Sequence, residues 1–396
     1  MLFSAIELLV LSITGYLWFL ALVSLTTDKH KKGTTGNCKG KRKYLIVIPA
    51  HNESMVIEKA IDSVWQLNYP TDCYDLVVIA DNCEDDTAGK VMKDGKAICL
   101  VRKDDEKKGK GYALQWAFKE INNWDRSYDA YVVLDADSEI DSDYLAVIDR
   151  ELDKGHKVLQ GFVRVIKPER SPAASLIFLG WSMNQQLRHT GTSWLGYFTF
   201  LLGNGFCIKA EVINTYGWNA VSILEDVEYG LMLRLLGFKV IFVPDARVYA
   251  QNPGTFRYAE SQRIRWDQGR FLMMKNFLPK LLSCAMRRKD ISLLFSAIEL
   301  LIPPYTLLIS FIIFLFLIFL YISYLGIEVN LSLWILTLLA LMGYSVLGLI
   351  VSGASLKVWK SVLYVPFFMS WRILINIKGY FQQGSTKWIK TERENL

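Results

Sequence analysis

Asp135-Ala-Asp137 follows Ala130–Leu134, a short apolar run that reads as a buried strand. Two carboxylates on one side of a tight turn suit Mg2+ or Mn2+, hard cations that take oxygen ligands. Such an ion bridges a diphosphate and neutralises a leaving group. Strand-end solvation or helix capping would use the same residue types. Glu225-Asp226 opens a strongly helical run to Leu236, where the helix dipole favours acids. The chemical alternative there is a general base, a carboxylate that takes the proton of an attacking hydroxyl. Gln262-Arg-Ile-Arg-Trp266 offers forked donors suited to phosphate and a flat apolar face of the kind sugars stack on. A basic amphipathic helix touching a membrane has the same composition. Lys108-Gly109-Lys110-Gly111 opens another helical run, and lysine with glycine at a helix N-terminus can meet phosphate. Neither Walker A spacing nor a dinucleotide fingerprint is present. Glu53 and Asp81 are carboxylates suited to accepting from a base or ribose, or to ordinary loop solvation.

The elements around these residues alternate. Tyr44–Pro49, Asp75–Ala80, Ala97–Arg102 and Ala130–Leu134 read as strands; 53–67 and 110–121 have helical spacing. Val158–Val165 reads as a further strand, Ala174–Arg188 as a helix, Gly203-Asn204-Gly205 as a turn, and Val240–Val243 as a strand stopped by Pro244. The fold class is therefore α/β: a mostly parallel sheet with helices on both faces. Ligands of such sheets bind beyond the carboxyl ends of the strands. His51 and Glu53, Asp81, and Asp135 with Asp137 each sit just past a predicted strand end, so three polar clusters converge on one edge.

The order of these motifs carries more than any one of them. Pro-Ala-His-Asn-Glu53, Asp81, Lys-Gly-Lys-Gly111, Asp-Ala-Asp137, Glu-Asp226 and Gln-x-x-Arg-Trp266 resemble the family-2 glycosyltransferases, in particular the membrane branch with cellulose, chitin, hyaluronan and poly-N-acetylglucosamine synthases. The resemblance implies the nucleotide-sugar-binding fold called GT-A and inverting chemistry. It implies that Asp81 meets the uracil or its equivalent with His51 and Glu53 nearby, that Asp135 and Asp137 hold a metal and diphosphate, and that Lys110 approaches the phosphates. It further implies Asp226 as base, with Glu225 beside it, and Gln262, Arg265 and Trp266 closing over diphosphate and acceptor. Asp81-Asn82-Cys83 departs from relatives that have a second Asp and a Ser there, which bears on nucleotide preference.

The 396 residues are 52% hydrophobic, too apolar for an ordinary soluble enzyme. The excess is local. Residues 1–27 read as an uncleaved transmembrane helix and 28–43 as a basic juxtamembrane linker with Lys29, Lys31, Lys32, Lys39, Lys41, Arg42 and Lys43. Residues 44–270 form the transferase domain, expected in the cytoplasm, and 271–302 read as interfacial helices. Spans are expected at 305–325 and 331–352. Residues 359–377 contain Pro366 and Arg372 and read as transmembrane or interfacial, and 378–396 as a basic tail. If 359–377 crossed, that tail would lie outside, against the positive-inside tendency. Leu2–Leu9 repeats as Leu294–Leu301, placing Glu7 and Glu299 in apolar stretches near segment ends, where a glutamate can reach water. The net charge of +6 sits largely in the linker, so nucleic acid is not the expected partner. The six cysteines include no Cys-x-x-Cys pair, so neither a zinc site nor a disulfide framework is expected.

The expected function is metal-dependent, inverting transfer of a sugar from a nucleotide donor, UDP by the resemblance, to a growing polysaccharide. The alternative is a single addition giving a glycolipid or lipid-linked saccharide. Expected partners are the donor, the polysaccharide or lipid acceptor, membrane lipids, and a second copy or a secretion partner.

Overall fold

The computed structural model describes residues 2–26, 42–251 and 255–381. Linker residues 28–41, the segment 252–254 and the tail beyond 381 lie outside the described residues. The N-terminal apolar run is one helix, α1 (Leu2–Thr26). The alternation then follows as β1 (Tyr44–Ala50), α2 (Ile57–Val64), β2 (Tyr74–Asp81), α3 (Thr87–Asp94), β3 (Ile98–Arg102), α4 (Lys110–Ile121) and β4 (Ala130–Val133). Helix α2 is shorter than the expected 53–67. The more polar α3 buries little besides Val91 and so left no apolar period to read.

The second half is β5 (Ser138–Ile140), α5 (Tyr144–Asp153), β6 (Val158–Val165) and α6 (Pro172–Ser182), which continues as a π-helical stretch, Met183–His189. It proceeds through α7 (Thr190–Trp194), β7 (Phe206–Lys209), α8 (Ala210–Tyr216), α9 (Glu225–Leu235) and β8 (Val240–Ala250). Then come α10 (Phe256–Arg288), α11 (Ile291–Leu301), α12 (Tyr305–Tyr324), α13 (Leu331–Val351), α14 (Leu356–Lys360) and α15 (Val365–Phe381).

The strands form one sheet in the order β3-β2-β1-β4-β7-β6-β8-β5. All run one way except β7 and β5, which are antiparallel to their neighbours. Alternate residues of β1 face opposite layers. Ile46 and Ile48 pack with α2 and α5, while Leu45 and Val47 pack with α4, α9 and α10. Helices thus cover both faces, and the buried strands read as near-continuous apolar runs.

Two expectations change. Strand β8 does not stop at Pro244. It pairs with β6 up to Val243, skips to Arg247, and continues to Ala250. Pro244 falls in that irregularity, where no ladder hydrogen bond is required of it. Helix α10 also runs unbroken across residue 270, so Gln262 to Trp266 and the apolar stretch from Phe271 share one helix.

Among the described residues, four helices are long and apolar enough to cross a membrane: Ala5–Thr26, Tyr305–Tyr324, Leu331–Val351 and Leu356–Asn376. Pro303-Pro304 separates α11 from α12. Phe178, Leu179, Met183 and Leu187 of α6 and its π stretch pack with α1, α12 and α13. The transferase domain is therefore interleaved with the apolar helices. Glu299 does not reach water. It is 2% exposed, Arg188 donates to it through Nε at 2.8 Å, and the Tyr16 hydroxyl donates at 2.6 Å. Ion pairing, rather than a helix-end position, makes the apolar site tolerable.

Candidate active site

The carboxyl ends of β1, β2 and β4 lie side by side because the three strands pair in parallel. The antiparallel β7 enters beside β4 from the same edge. Its preceding loop, Gly203-Asn204-Gly205, is pinned there by a Gly205 N–H bond to the Val133 carbonyl at 2.9 Å. Asn204 accepts from the Asp135 N–H at 3.1 Å and donates to Ser138 Oγ at 2.8 Å. Buried Gln160 donates to the Asn204 carbonyl at 2.8 Å and accepts from Leu202 N–H at 2.8 Å. The Asp135–Asp137 turn is thus positioned by side chains from β6 and the β7 loop.

Lys110 is the hub. Its ammonium donates to Asp135 Oδ1 at 2.5 Å and to the Gly203 carbonyl at 2.5 Å, and lies 4.0 Å from Glu225 Oε1. Gly111 makes this approach possible: a Cβ there would stand 2.6 Å from the Ala220 carbonyl and 3.0 Å from Glu225 Cβ. Gly203, at φ +76°, likewise admits Asp226, whose Oδ2 would lie 2.9 Å from an added Cβ. The glycines are steric requirements of a site where two helix N-termini and a loop meet.

Burial raises the Glu225 carboxyl to about 7, aided by the Asp226 charge, with Lys110 opposing. Burial also raises Asp226, and Lys110 opposes that too. Burial works against the charge of Lys110, but Asp135 and Glu225 outweigh it and hold the ammonium above its ordinary value. One cation among three carboxylates is an arrangement in which acid and base roles separate.

A second group lies at the ends of β1 and β2. His51 Nδ1 is 2.8 Å from the Asp81 carbonyl. The Asp81 carboxylate meets Arg102 Nη1 at 2.5 Å, both side chains being nearly inaccessible. Burial raises the Asp81 carboxyl, with Arg102 opposing. Asn52 and Asn82 hold positive φ just past the two strands, and the Asn52 carbonyl oxygen of the side chain accepts from Glu84 N–H at 2.7 Å. The Glu53 N–H donates to Thr87 Oγ1 at 2.8 Å. Ser138 donates to Asp137 Oδ1 at 3.3 Å. On α10, Trp266 packs against Trp181 at 6.2 Å, and Arg265 is near enough to Glu225 to favour its ionised form. Gln262 lies one turn earlier on that helix.

The sequence model of "Glycosyltransferase like family 2" matches residues 41–269, the span holding all these groups. The chain belongs to glycosyltransferase family 2. Along nearly its full length this family 2 chain is similar to a probable glycosyltransferase, YdaM, of Bacillus subtilis (strain 168): 26% identity over 392 residues, 94% of this chain and 91% of the relative. It is 25% identical over 264 residues to a poly-beta-1,6-N-acetyl-D-glucosamine synthase of Staphylococcus aureus (strain COL), 64% of this chain and 60% of that synthase. Among solved structures, the mannosyltransferase PcManGT of Pyrobaculum calidifontis superposes at TM-score 0.51 with 14% identity, covering 95% of this chain and 99% of that one. The shared architecture is the GT-A fold, to which this chain adds its apolar helices.

Sequence reasoning found Lys110, Asp135, Glu225 and Asp226, and they are together. It missed Gln160, Asn204 and Arg102. Gly203-Asn204-Gly205 was legible as a turn, and only the antiparallel placement of β7 gives it a role.

Proposed function

We propose that this glycosyltransferase moves a sugar, with inversion, from a nucleotide-diphosphate donor, UDP-linked by resemblance, to an acceptor held at the membrane surface. The observation that supports this most is the meeting of Lys110, Asp135, Glu225, Asp226 and the Gly203 carbonyl beyond the strand ends. Asp226 takes the acceptor hydroxyl proton. The acceptor oxygen bonds to the anomeric carbon from the face opposite the diphosphate, the carbon–phosphate-oxygen bond breaks, and nucleoside diphosphate leaves. Lys110 meets the charge growing on that leaving group, because preorganised cations act strongly in a partly dehydrated site. Arg265 and Gln262 close over the diphosphate, and Trp266 gives the acceptor sugar a face to stack on. His51, Glu53 and Asp81 line the base and ribose end, where Arg102 orients the Asp81 carboxylate.

Asp135 and Asp137 fit a divalent cation. They are oxygen donors on one turn, and a cationic ammonium already sits against Asp135. Among the described residues no group of three or more His, Cys, Asp or Glu side chains forms a ligand set, so the remaining oxygens would come from substrate and water. When bound, Mg2+ or Mn2+ supplies charge neutralisation to the diphosphate.

The acceptor in our first reading is a growing polysaccharide, supported by Gln-x-x-Arg-Trp266 and the likeness to the poly-N-acetylglucosamine synthase. The second reading is a single addition to a lipid, supported by the small number of helices long enough to span, four among the described residues. The test is to give purified protein labelled UDP-sugars with Mn2+ or Mg2+ and to size the products. Polymer supports the first reading and a one-sugar lipid the second. Asp226→Asn should lower transfer by about 10^3-fold while donor still binds; undiminished turnover in that variant removes Asp226 as the base.

A further inference from the structure

Arg372 interrupts the least apolar of the four candidate spans, where a charged side chain is costly without a partner. It is 3% exposed, and its Nη2 donates to Asp267 Oδ1 at 2.8 Å. Asp267 directly follows Trp266 on α10. Arg263, one turn earlier on the same helix, lays its guanidinium over the Trp266 ring at 4.8 Å. Burial and the charge of Arg372 push the Arg263 guanidinium down to about 10, so these two cations compete for one carboxylate. Arg263 Nε, Arg372 Nη1, Asn376 Nδ2 and Asp267 Oδ2 are buried and have no hydrogen-bond partner among the described residues. At the end of the seam Lys378 pairs with Glu260 and adds no net charge.

Three unmet donors and an excess positive charge in one buried seam call for an anion. A buried donor left without a partner is destabilising. A neutral sugar would answer the donors but leave the charge. The surroundings are apolar: Phe256, Phe368 and Trp371 pack at 5.0–5.6 Å beside the seam, and Phe367 and Leu374 of α15 are 72% and 66% exposed. Clustered aromatic rings beside exposed apolar residues are typical of the headgroup level of a bilayer. A lipid meets both needs, with its phosphate in the seam and its chains on the exposed apolar residues.

We propose that the seam between α10 and α15 binds the phosphate of a membrane lipid through Arg263, Arg372 and Asn376, immediately beside Trp266. The bound lipid then lies next to the ring assigned to the acceptor, a consequence that alone rests on the proposed transferase reading.

The test uses the full chain in phosphatidylcholine nanodiscs with and without phosphatidylglycerol. After extraction in neutral detergent, retained phosphatidylglycerol is measured by native mass spectrometry. The native chain should retain it, and Arg372→Gln and Arg263→Gln should each weaken retention about tenfold, one charge-assisted bond's worth. Asn376→Leu removes a donor without stranding a charge and should weaken it less; it serves if the arginine variants do not fold. Equal retention in all variants, or none in the native chain, overturns the proposal. So does a rise in melting temperature with inorganic phosphate in a preparation that retains no lipid, which would assign the seam to free phosphate. Sugar transfer is not the readout, so failure of the transfer assay and failure of lipid retention are separate results.

Discussion

Lys110 decides at what pH Asp226 can serve as a base. Burial raises the carboxyls of Glu225 and Asp226, and the ammonium is the main group holding them down. Lys110→Met should therefore raise both further. The rate of sugar transfer falls as pH drops through the pKa of the base, so the acid limb of the pH–rate profile should move to higher pH in this variant. An unmoved limb would separate Lys110 from the base. Glu225 carries a stability consequence of opposite sense to most carboxylates. Its folded value is about 7 against an ordinary 4.5. Between those values the folded state binds the extra proton, so Glu225 costs stability as pH rises through that window. Glu225→Gln should raise the melting temperature more at pH 8 than at pH 4, read by thermal unfolding in detergent. Glycine is required at 203 by geometry. An alanine there must hold φ near +76° and would press its Cβ on Asp226. Gly203→Ala should cost about 1 kcal/mol of stability from the backbone. Displacement of Asp226 should lower kcat by about 10^2-fold with little change in donor affinity.

At the scale of elements, the half of the fold made of parallel strands was legible because burial on both faces writes continuous apolar runs, as in Tyr44–Pro49 and Ala130–Leu134. The antiparallel members were not. β7 is four residues and β5 is three, and their neighbours in the sheet are distant in sequence. The motif residues were legible from their order along the chain, since each alone could equally serve a strand end, a helix cap or a loop. Their supports, Gln160 and Asn204, were not, since a buried amide has no sequence signature until the chain that meets it is known. Glu299 shows the same limit: its partners Tyr16 and Arg188 are 283 and 111 residues away. These three side chains fasten α1 and the π-helical stretch to α11. Removing one partner strands a buried charge, so Arg188→Met should destabilise the protein by about 3–5 kcal/mol. Arg188→Met with Glu299→Leu should recover much of that loss. A double variant as unstable as the single one would mean that packing, not the ion pair, holds this junction.

For the whole molecule, the direction of α15 follows from what its two ends touch. Lys378 and Arg372 pair with Glu260 and Asp267 of α10, the helix that continues from the transferase domain. On the other side of α15, α14 packs against α6 and against the turn at Pro168–Arg170 that follows β6. Both ends are therefore next to the transferase domain, and a helix that crossed a bilayer would have them on opposite sides. This favours α15 lying along the membrane face, with α1, α12 and α13 as the crossing helices. We propose that the side of the membrane holding the transferase domain is the cytoplasm, in keeping with the positive-inside tendency expected from the basic residues of the sequence. Single cysteines placed in the tail after residue 390 and in the loop at Gly326 of a cysteine-free chain test this. In intact cells, an impermeant maleimide should label the Gly326 position and leave the tail unlabelled until the membrane is opened. Labelling of the tail from outside would make α15 a true span. Three crossing helices cannot by themselves surround a polysaccharide, so with this topology a polymer product requires further copies or a partner. Polymer made by a chain shown to be monomeric in its nanodisc would rule out that account of export.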